Sequence, residues 1–282
     1  MPTVTEAALP NDRILPITRV VAAVVIMILL IATVVLFLLP TQTDHRFAWT
    51  IHPSMTAMVM GAGYGSALYF FVRVLTERRW HRVALGFIPT TVFTWMMLGT
   101  TILQWPDFRH GSMPFLLWVW VYLLTPILVP LVWIVNRRHD PRDVEPDERP
   151  FDPRLRVAMI AGGAVLVAIA AWMYLWPSAA VAVWPWGLRV LTARTIAAFI
   201  ALPGVAWLAI AADGRWSASR VVLQTVAIGL VLLLVAVVRD WTNIRHDDVL
   251  TFVYLFGLVG TLGCIVALEL ANRSAAPIAI DR

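Results

Sequence analysis

Two stretches of the sequence, one in each half of the chain, carry tryptophan, arginine and histidine at the same spacing, W-x3-R-H. The copies consist of Trp105, Arg109 and His110 in 103–112, and of Trp241, Arg245 and His246 in 239–248. A guanidinium can donate two parallel hydrogen bonds to a carboxylate or phosphate, and an imidazole can bind a metal ion or move a proton. These six residues are the candidate ligand-binding residues of the chain.

The repeated motif is open to a structural explanation and to a binding one. Tryptophan favours the membrane interface, arginine reaches lipid headgroups, and Ser112 or Asp248 can cap the helix that follows. Alternatively, a two-fold arrangement of the chain brings Arg109 and Arg245 together, with the two histidines beside them. Such a pair of guanidiniums suits an anionic lipid headgroup or a small anion.

A metal site is a third hypothesis for the same loops. Its weak candidate ligands are His110 and His246 together with Asp107 and Asp247, and imidazole plus carboxylate suits zinc. No H-E-x-x-H spacing supports this hypothesis, and the arginine next to each histidine repels a cation.

The amino-acid composition indicates which class of protein carries these loops. Of 282 residues, 60% are hydrophobic and only 14% are charged, which excludes an ordinary soluble domain. Crossing a bilayer takes about 20 mostly apolar residues per helix. Eight segments qualify: 17–39, 54–75, 83–104, 114–135, 157–176, 190–212, 219–238 and 249–270. The sequence predicts an all-α, polytopic transmembrane helical bundle.

Arginine predicts the orientation of these helices. The chain contains no lysine, and 16 of its 22 arginines fall on the side of the two termini, whereas six fall opposite. Because positive residues accumulate on the cytoplasmic side, both termini are expected in the cytoplasm of a bacterial cell, with the chain in the plasma membrane. The excess of positive charge therefore reflects topology, and no nucleic-acid partner is expected.

Sliding the chain on itself until Trp105 falls on Trp241 also matches rare residues at successive helix boundaries from Thr56 to Arg137, an alignment that we call the repeat register. We predict two parallel four-helix repeats, 17–136 and 157–272, joined by a polar linker at 137–156. Short cytoplasmic tails at 1–16 and 273–282 flank the repeats. Two matched pairs of small residues, Gly61-x3-Gly65 and Ala197-x3-Ala201, predict close contacts between helices.

The sequence contains no catalytic motif and none that requires a cofactor. We therefore expect a non-enzymatic protein that binds a small molecule or lipid, or a membrane subunit of a larger complex. One alternative is a transporter with a midplane cavity between the repeats, lined by threonines and by Gln104 or Gln224. A second is a metal-dependent membrane enzyme with an external site.

Two further stretches carry a resemblance to known sequences. The segment FAWTIHPSMTAMVMGAGYG at 47–65, together with WPWGLRVLTARTIAAF at 184–199, resembles a family of uncharacterised multipass membrane proteins of GC-rich bacteria. The similarity covers most of the membrane region, and the absence of lysine suits such a genome. It implies the topology and the paired architecture, and no activity.

Overall fold

The computed structural model describes residues 12–140, 148 and 151–274, with 273 and 274 described by their backbone only. Within this part of the chain, eight helices are long and apolar enough to cross a membrane, which confirms the predicted all-α class and helix number. We label them in chain order: α1 Pro16–Leu38, α2 Ser54–Thr76, α3 His81–Leu103, α4 Met113–Arg137, α5 Pro153–Leu175, α6 Val190–Asp213, α7 Trp216–Arg239 and α8 Val249–Ser274.

Local sequence explains where several helices begin and end. Pro153 occupies the first turn of α5, where a missing N–H costs nothing, and the Asp152 side chain accepts the backbone N–H of Arg154 at 2.7 Å. As a result α5 starts ahead of the predicted position 157. Helix α6 ends at Gly214, whose φ of +79° suits glycine. Helix α1 finishes in a π-helical turn, Val34–Leu38.

Four helices form the centre of the bundle, and they pair across the two halves of the chain. Helix α2 packs against α7, and α3 packs against α6. The remaining four lie outside: α1 against α2, α4 against α3, α5 against α6 and α8 against α7. The outer helices expose large apolar residues such as Val24, Ile127, Val165 and Phe256, as expected of surfaces that face lipid.

Of the two predicted pairs of small residues, Gly61 and Gly65 lie on α2, and Ala197 and Ala201 are buried on α6. A Cβ atom at Gly61 would come within 2.7 Å of the Phe37 backbone nitrogen, so glycine lets α2 lie directly on the end of α1. At Gly65 a Cβ would meet Leu232 of α7 at 2.9 Å. Between them, Gly63 lies under the ring of Phe199 on α6, where a Cβ would come within 2.3 Å. The three glycines, which lie on different sides of α2, therefore let it contact both its own half and the other half of the chain.

Buried ion pairs and polar contacts tie the halves together at the end of the bundle where α4 ends and α7 begins. Arg215 is held by Asp213 at 2.8 Å and by Asp140 at 3.1 Å. The hydrogen bonds that the Arg215 guanidinium donates to Asp213, and then to Asp140, raise the pKa of Arg215 above its ordinary value. Toward the same end, Gln224 of α7 accepts from Tyr69 of α2 and donates to Glu269 of α8.

Replacing Gly61 with alanine tests the contact between α1 and α2. Because the added methyl meets backbone atoms rather than a movable side chain, we expect Gly61→Ala to lower the free energy of unfolding by about 1–3 kcal/mol. The control is Gly257→Ala, since a Cβ there has no atom within 4 Å. Reversible unfolding in mixed micelles measures both, and equal stability of the two variants would contradict the contact.

Candidate functional site

Each copy of W-x3-R-H folds into a compact loop of the same design. A short 3-10 turn follows α3 at Trp105–Asp107, and another follows α7 at Trp241–Asn243. Within each loop the tryptophan ring packs on the histidine ring, with centroids 5.1 Å apart for Trp105 and His110 and 4.7 Å apart for Trp241 and His246. These four rings are exposed, which agrees with a role at the membrane interface.

The residues after each motif behave as caps. The Ser112 hydroxyl accepts the backbone N–H of Phe115 at the start of α4, and the Asp248 carboxylate accepts that of Leu250 at the start of α8. The capping part of the structural explanation is therefore confirmed in both copies.

The motif arginines hold the loops that precede α2 and α6. The Arg109 backbone N–H donates to the Ala48 carbonyl at 2.9 Å, and its guanidinium donates to the Phe47 carbonyl at 3.0 Å. The Arg245 backbone N–H donates to the Pro185 carbonyl at 3.0 Å. The backbone partners of the two arginines lie in different loops, and the binding of Arg109 and Arg245 to one shared anion stays a prediction.

On the side of the second motif copy, hydrogen bonds join the two halves of the chain directly, and we call this the closed side. The Ser54 hydroxyl at the start of α2 donates to the buried Asp240 carboxylate at 2.8 Å. Nearby, the indole N–H of Trp186 donates to the Thr56 hydroxyl at 3.0 Å. Arg239 donates to the Phe37 carbonyl at the end of α1, at 2.5 Å.

On the side of the first copy, the corresponding space is open. A cavity of about 640 Å³ lies there, and both halves of the chain line it: 49–50, Gln104 and 107–109 from the first, and 189–192 from the second. The repeat register pairs Gln104 with Asp240 and Val190 with Ser54. The cavity thus occupies the place where the other side carries the Ser54–Asp240 hydrogen bond.

Trp49 and Trp186 occupy corresponding places on the two sides. Trp49 follows Ala48, whose carbonyl accepts the backbone N–H of Arg109, and Trp186 follows Pro185, whose carbonyl accepts that of Arg245. Trp49 packs edge-on against Trp118, and Trp186 packs edge-on against Tyr254, which the repeat register pairs with Trp118. Trp186 bonds to Thr56, whereas the buried N–H of Trp49 has no partner among the described residues. The equivalent threonine, Thr192, bonds instead to the backbone of Arg189.

Several buried indoles lack partners, and only one of them lines the cavity. In the described part of the chain they are Trp49, Trp80, Trp184 and Trp207. Trp49 is the cavity-lining member of this set and is only 3% exposed. The Trp49 side chain therefore borders the cavity, while its N–H itself is buried among the rings of Phe47, Phe108 and Trp118.

Charge in the cavity favours an anion. Two guanidiniums, those of Arg109 and Arg189, line it together with the Asp107 carboxylate. Neither arginine takes part in an ion pair among the described residues, so their charge is available to a ligand. Arginine is suited to bidentate binding of carboxylate or phosphate. The arrangement can bind and orient an oxyanion from the aqueous side.

The metal hypothesis gains no support from the described residues. No group of three or more histidine, cysteine, aspartate or glutamate side chains there is placed to hold an ion. His110 instead has its Nε2 2.9 Å from the Trp105 carbonyl. The two glutamines named for the transporter alternative lie far apart in the bundle. Gln104 lines the cavity, whereas Gln224 forms hydrogen bonds with Tyr69 and Glu269 near the opposite end.

Sequence reasoning identified Arg109 and Gln104 and missed Arg189, Trp49 and Thr192. Arg189 matches Pro53 across the repeat, so no repeated pattern marked it. A search for charged residues at the first turn of each predicted helix would have found it. Comparison with protein-family models, curated proteins and solved structures finds no match to this chain.

Matched tryptophan substitutions test the difference between the closed and open sides. Trp186→Phe and Trp49→Phe remove the same atoms from two buried sites, but only the first breaks a hydrogen bond. We expect Trp186→Phe to lower the free energy of unfolding by about 1 kcal/mol more than Trp49→Phe. Unfolding in mixed micelles without added ligand gives the difference, and an equal loss in both variants would argue against it.

Proposed function

We propose that this multipass membrane protein binds a small oxyanion, a carboxylate or phosphate compound, in the cavity between its two halves. The observation that carries the proposal is that Arg109 from the first half and Arg189 from the second half line one cavity. Binding without chemistry is the function that these groups support, because two arginines position an anion and offer no nucleophile.

A repeated architecture supports this assignment. Helices α2 and α6 begin at equivalent positions of the repeat register, and so do the turns at Trp105 and Trp241 and the helices α4 and α8. Gly63 and Phe199, which touch, are also equivalent in this register. Contact between equivalent residues is expected at a pseudo-two-fold axis, and parallel repeats place that axis along the membrane normal. The cavity then results from a local departure from this symmetry.

The arginine distribution supports an external position for the cavity. If the side with 16 arginines is cytoplasmic, both termini face the cytoplasm of a bacterial cell. The cavity lies at the opposite end, among the six remaining arginines, which include Arg109 and Arg189. It would then meet anions outside the plasma membrane, either as free solutes or as the headgroups of anionic lipids in the outer leaflet.

Binding of inorganic phosphate and of succinate to the full chain in phosphatidylcholine nanodiscs tests the proposal. We expect Arg109→Gln and Arg189→Gln each to weaken binding of the preferred probe at least about tenfold, because each removes a charge-assisted hydrogen bond. Arg245→Gln is the matched control, since Arg245 occupies the same motif position and does not line the cavity.

The outcomes separate the two sources of anion. Titration calorimetry reports free anions, and native mass spectrometry reports phosphatidylglycerol retained by the protein from mixed nanodiscs. Loss of either signal in both cavity variants, with Arg245→Gln unchanged, supports the site and identifies its ligand. Neither probe binding, or equal weakening by all three substitutions, overturns it. Unfolding curves of each variant verify that the fold is intact.

Cysteine labelling tests the orientation. Cys264 is the only cysteine, so a Cys264→Ser background allows single probes at cavity residue Thr50 and at Arg138, which follows α4. A membrane-impermeant maleimide should label Thr50→Cys on intact cells and Arg138→Cys only after permeabilisation. The reverse pattern would place the cavity on the cytoplasmic side.

A further inference from the structure

A second cavity, of about 150 Å³, lies inside the first half of the chain at membrane depth. Its walls come mainly from α1, α2, α3 and α4, with Phe199 and Leu202 contributed by α6. Two of its lining residues, Ile31 on α1 and Leu117 on α4, are also exposed on the outer surface of the bundle. The cavity therefore has an edge between α1 and α4 that faces lipid.

Apart from Arg46, which precedes α2, and three threonines, the lining is apolar and contains one unusual polar pair. The hydroxyls of Tyr64 and Tyr122 lie 2.7 Å apart, and both side chains are buried. By contrast, the cavity-lining Thr90, Thr94 and Thr125 each donate to a carbonyl of their own helix, so their hydrogens are already placed.

The tyrosine pair leaves one hydroxyl hydrogen without an acceptor. Each hydroxyl carries one hydrogen, and only one of the two can be used between them. Among the described residues neither hydroxyl has another hydrogen-bond partner. A donor buried in apolar surroundings without an acceptor costs about 1–3 kcal/mol. A ligand with a carbonyl oxygen would remove this cost.

Depth restricts which ligand can supply that oxygen. Tyr64 lies in the middle of α2, which starts at Ser54, and Tyr122 lies in α4, which starts at Met113. At about 1.5 Å per residue these positions are roughly 14–15 Å from the external ends of their helices, about half of a hydrocarbon core of about 30 Å. Phospholipid carbonyls lie near the headgroups, so the acceptor must belong to a molecule that enters the hydrocarbon core itself.

Size and aromatic surroundings point to a ring. An engineered apolar cavity of about 150 Å³ accommodates benzene in a soluble protein. Here the rings of Phe93 and Phe199 pack against Tyr64, with centroids 6.4 and 5.1 Å away, and both line the cavity. We propose that this cavity binds the ring of a lipid-soluble quinone, whose carbonyl accepts the free hydroxyl hydrogen while its tail leaves between α1 and α4.

Thermal unfolding of the full chain in nanodiscs, with decylubiquinone as the probe, tests this assignment. We expect decylubiquinone to raise the midpoint in a dose-dependent way, and decylbenzene, which has no acceptor, to raise it much less. Tyr64→Phe and Tyr122→Phe each keep the ring and remove a hydroxyl. The double variant should weaken the apparent affinity about tenfold.

The matched control is Tyr174→Phe, because the Tyr174 hydroxyl donates to the Met96 carbonyl and does not line this cavity. Retention of the decylubiquinone effect in Tyr174→Phe, with its loss in the double variant, supports the site. No effect on the unsubstituted chain, an equal effect of decylbenzene, or full retention in the double variant rejects it. Midpoints without probe separate loss of binding from loss of folding.

Discussion

The contact between Gly63 and Phe199 is the constraint from which the rest of the bundle follows. In a bilayer, lipid tails solvate apolar side chains as well as protein does, so helices associate through close packing rather than through a hydrophobic driving force. A glycine on α2 lets the Phe199 ring of α6 lie against its backbone, and this joins the two halves at the centre. Helices α7 and α3 then fit on either side, against α2 and α6 respectively, and the outer helices cover the remaining faces. A side chain at position 63 would separate the very helices whose starts border both the closed contact and the open cavity.

The closed and open sides show how a small change in sequence produces a cavity. The Ser54 hydroxyl donates a hydrogen bond to Asp240, whereas Val190 at the matching position has no side-chain group that could form a hydrogen bond with Gln104. Without that hydrogen bond, no polar contact among the described residues holds the start of α6 against the end of α3. Arg189 stands where the other side has Pro53, and two nearby guanidiniums favour water or an anion between the elements. A hydrogen bond present at one of two matching positions and missing at the other therefore accompanies a closed contact on one side and a cavity on the other.

The sequence predicted much of this fold because apolar length is a strong signal of membrane-spanning helices. The helix number is confirmed among the described residues, and so are the caps at Ser112 and Asp248. The site was harder, because a register shows which residues are equivalent without showing which of them meet. Equivalent residues touch each other only near the axis, as Gly63 and Phe199 do. Arg109 lies away from such a contact, so its partner in the cavity is Arg189 from the start of α6 rather than Arg245. The missing acceptor of the Trp49 N–H is likewise visible only in the tertiary structure.

The two proposed sites lie at different depths and rely on different binding chemistry. Near the aqueous end, water competes for every hydrogen bond, so charged arginines are needed to hold a ligand, and the ligand must carry charge in return. At the level of Tyr64 and Tyr122 there is no water to compete, and a single neutral hydroxyl hydrogen is enough to discriminate between an acceptor and a hydrocarbon. A charged group at that depth would cost several kcal/mol, which explains why the polar groups there are phenols rather than arginines. Helix α2 contributes Tyr64 to the deep cavity. At its start, Ser54 donates the hydrogen bond to Asp240 that closes the side opposite the outer cavity. Any movement of α2 relative to α6 would therefore alter both sites together.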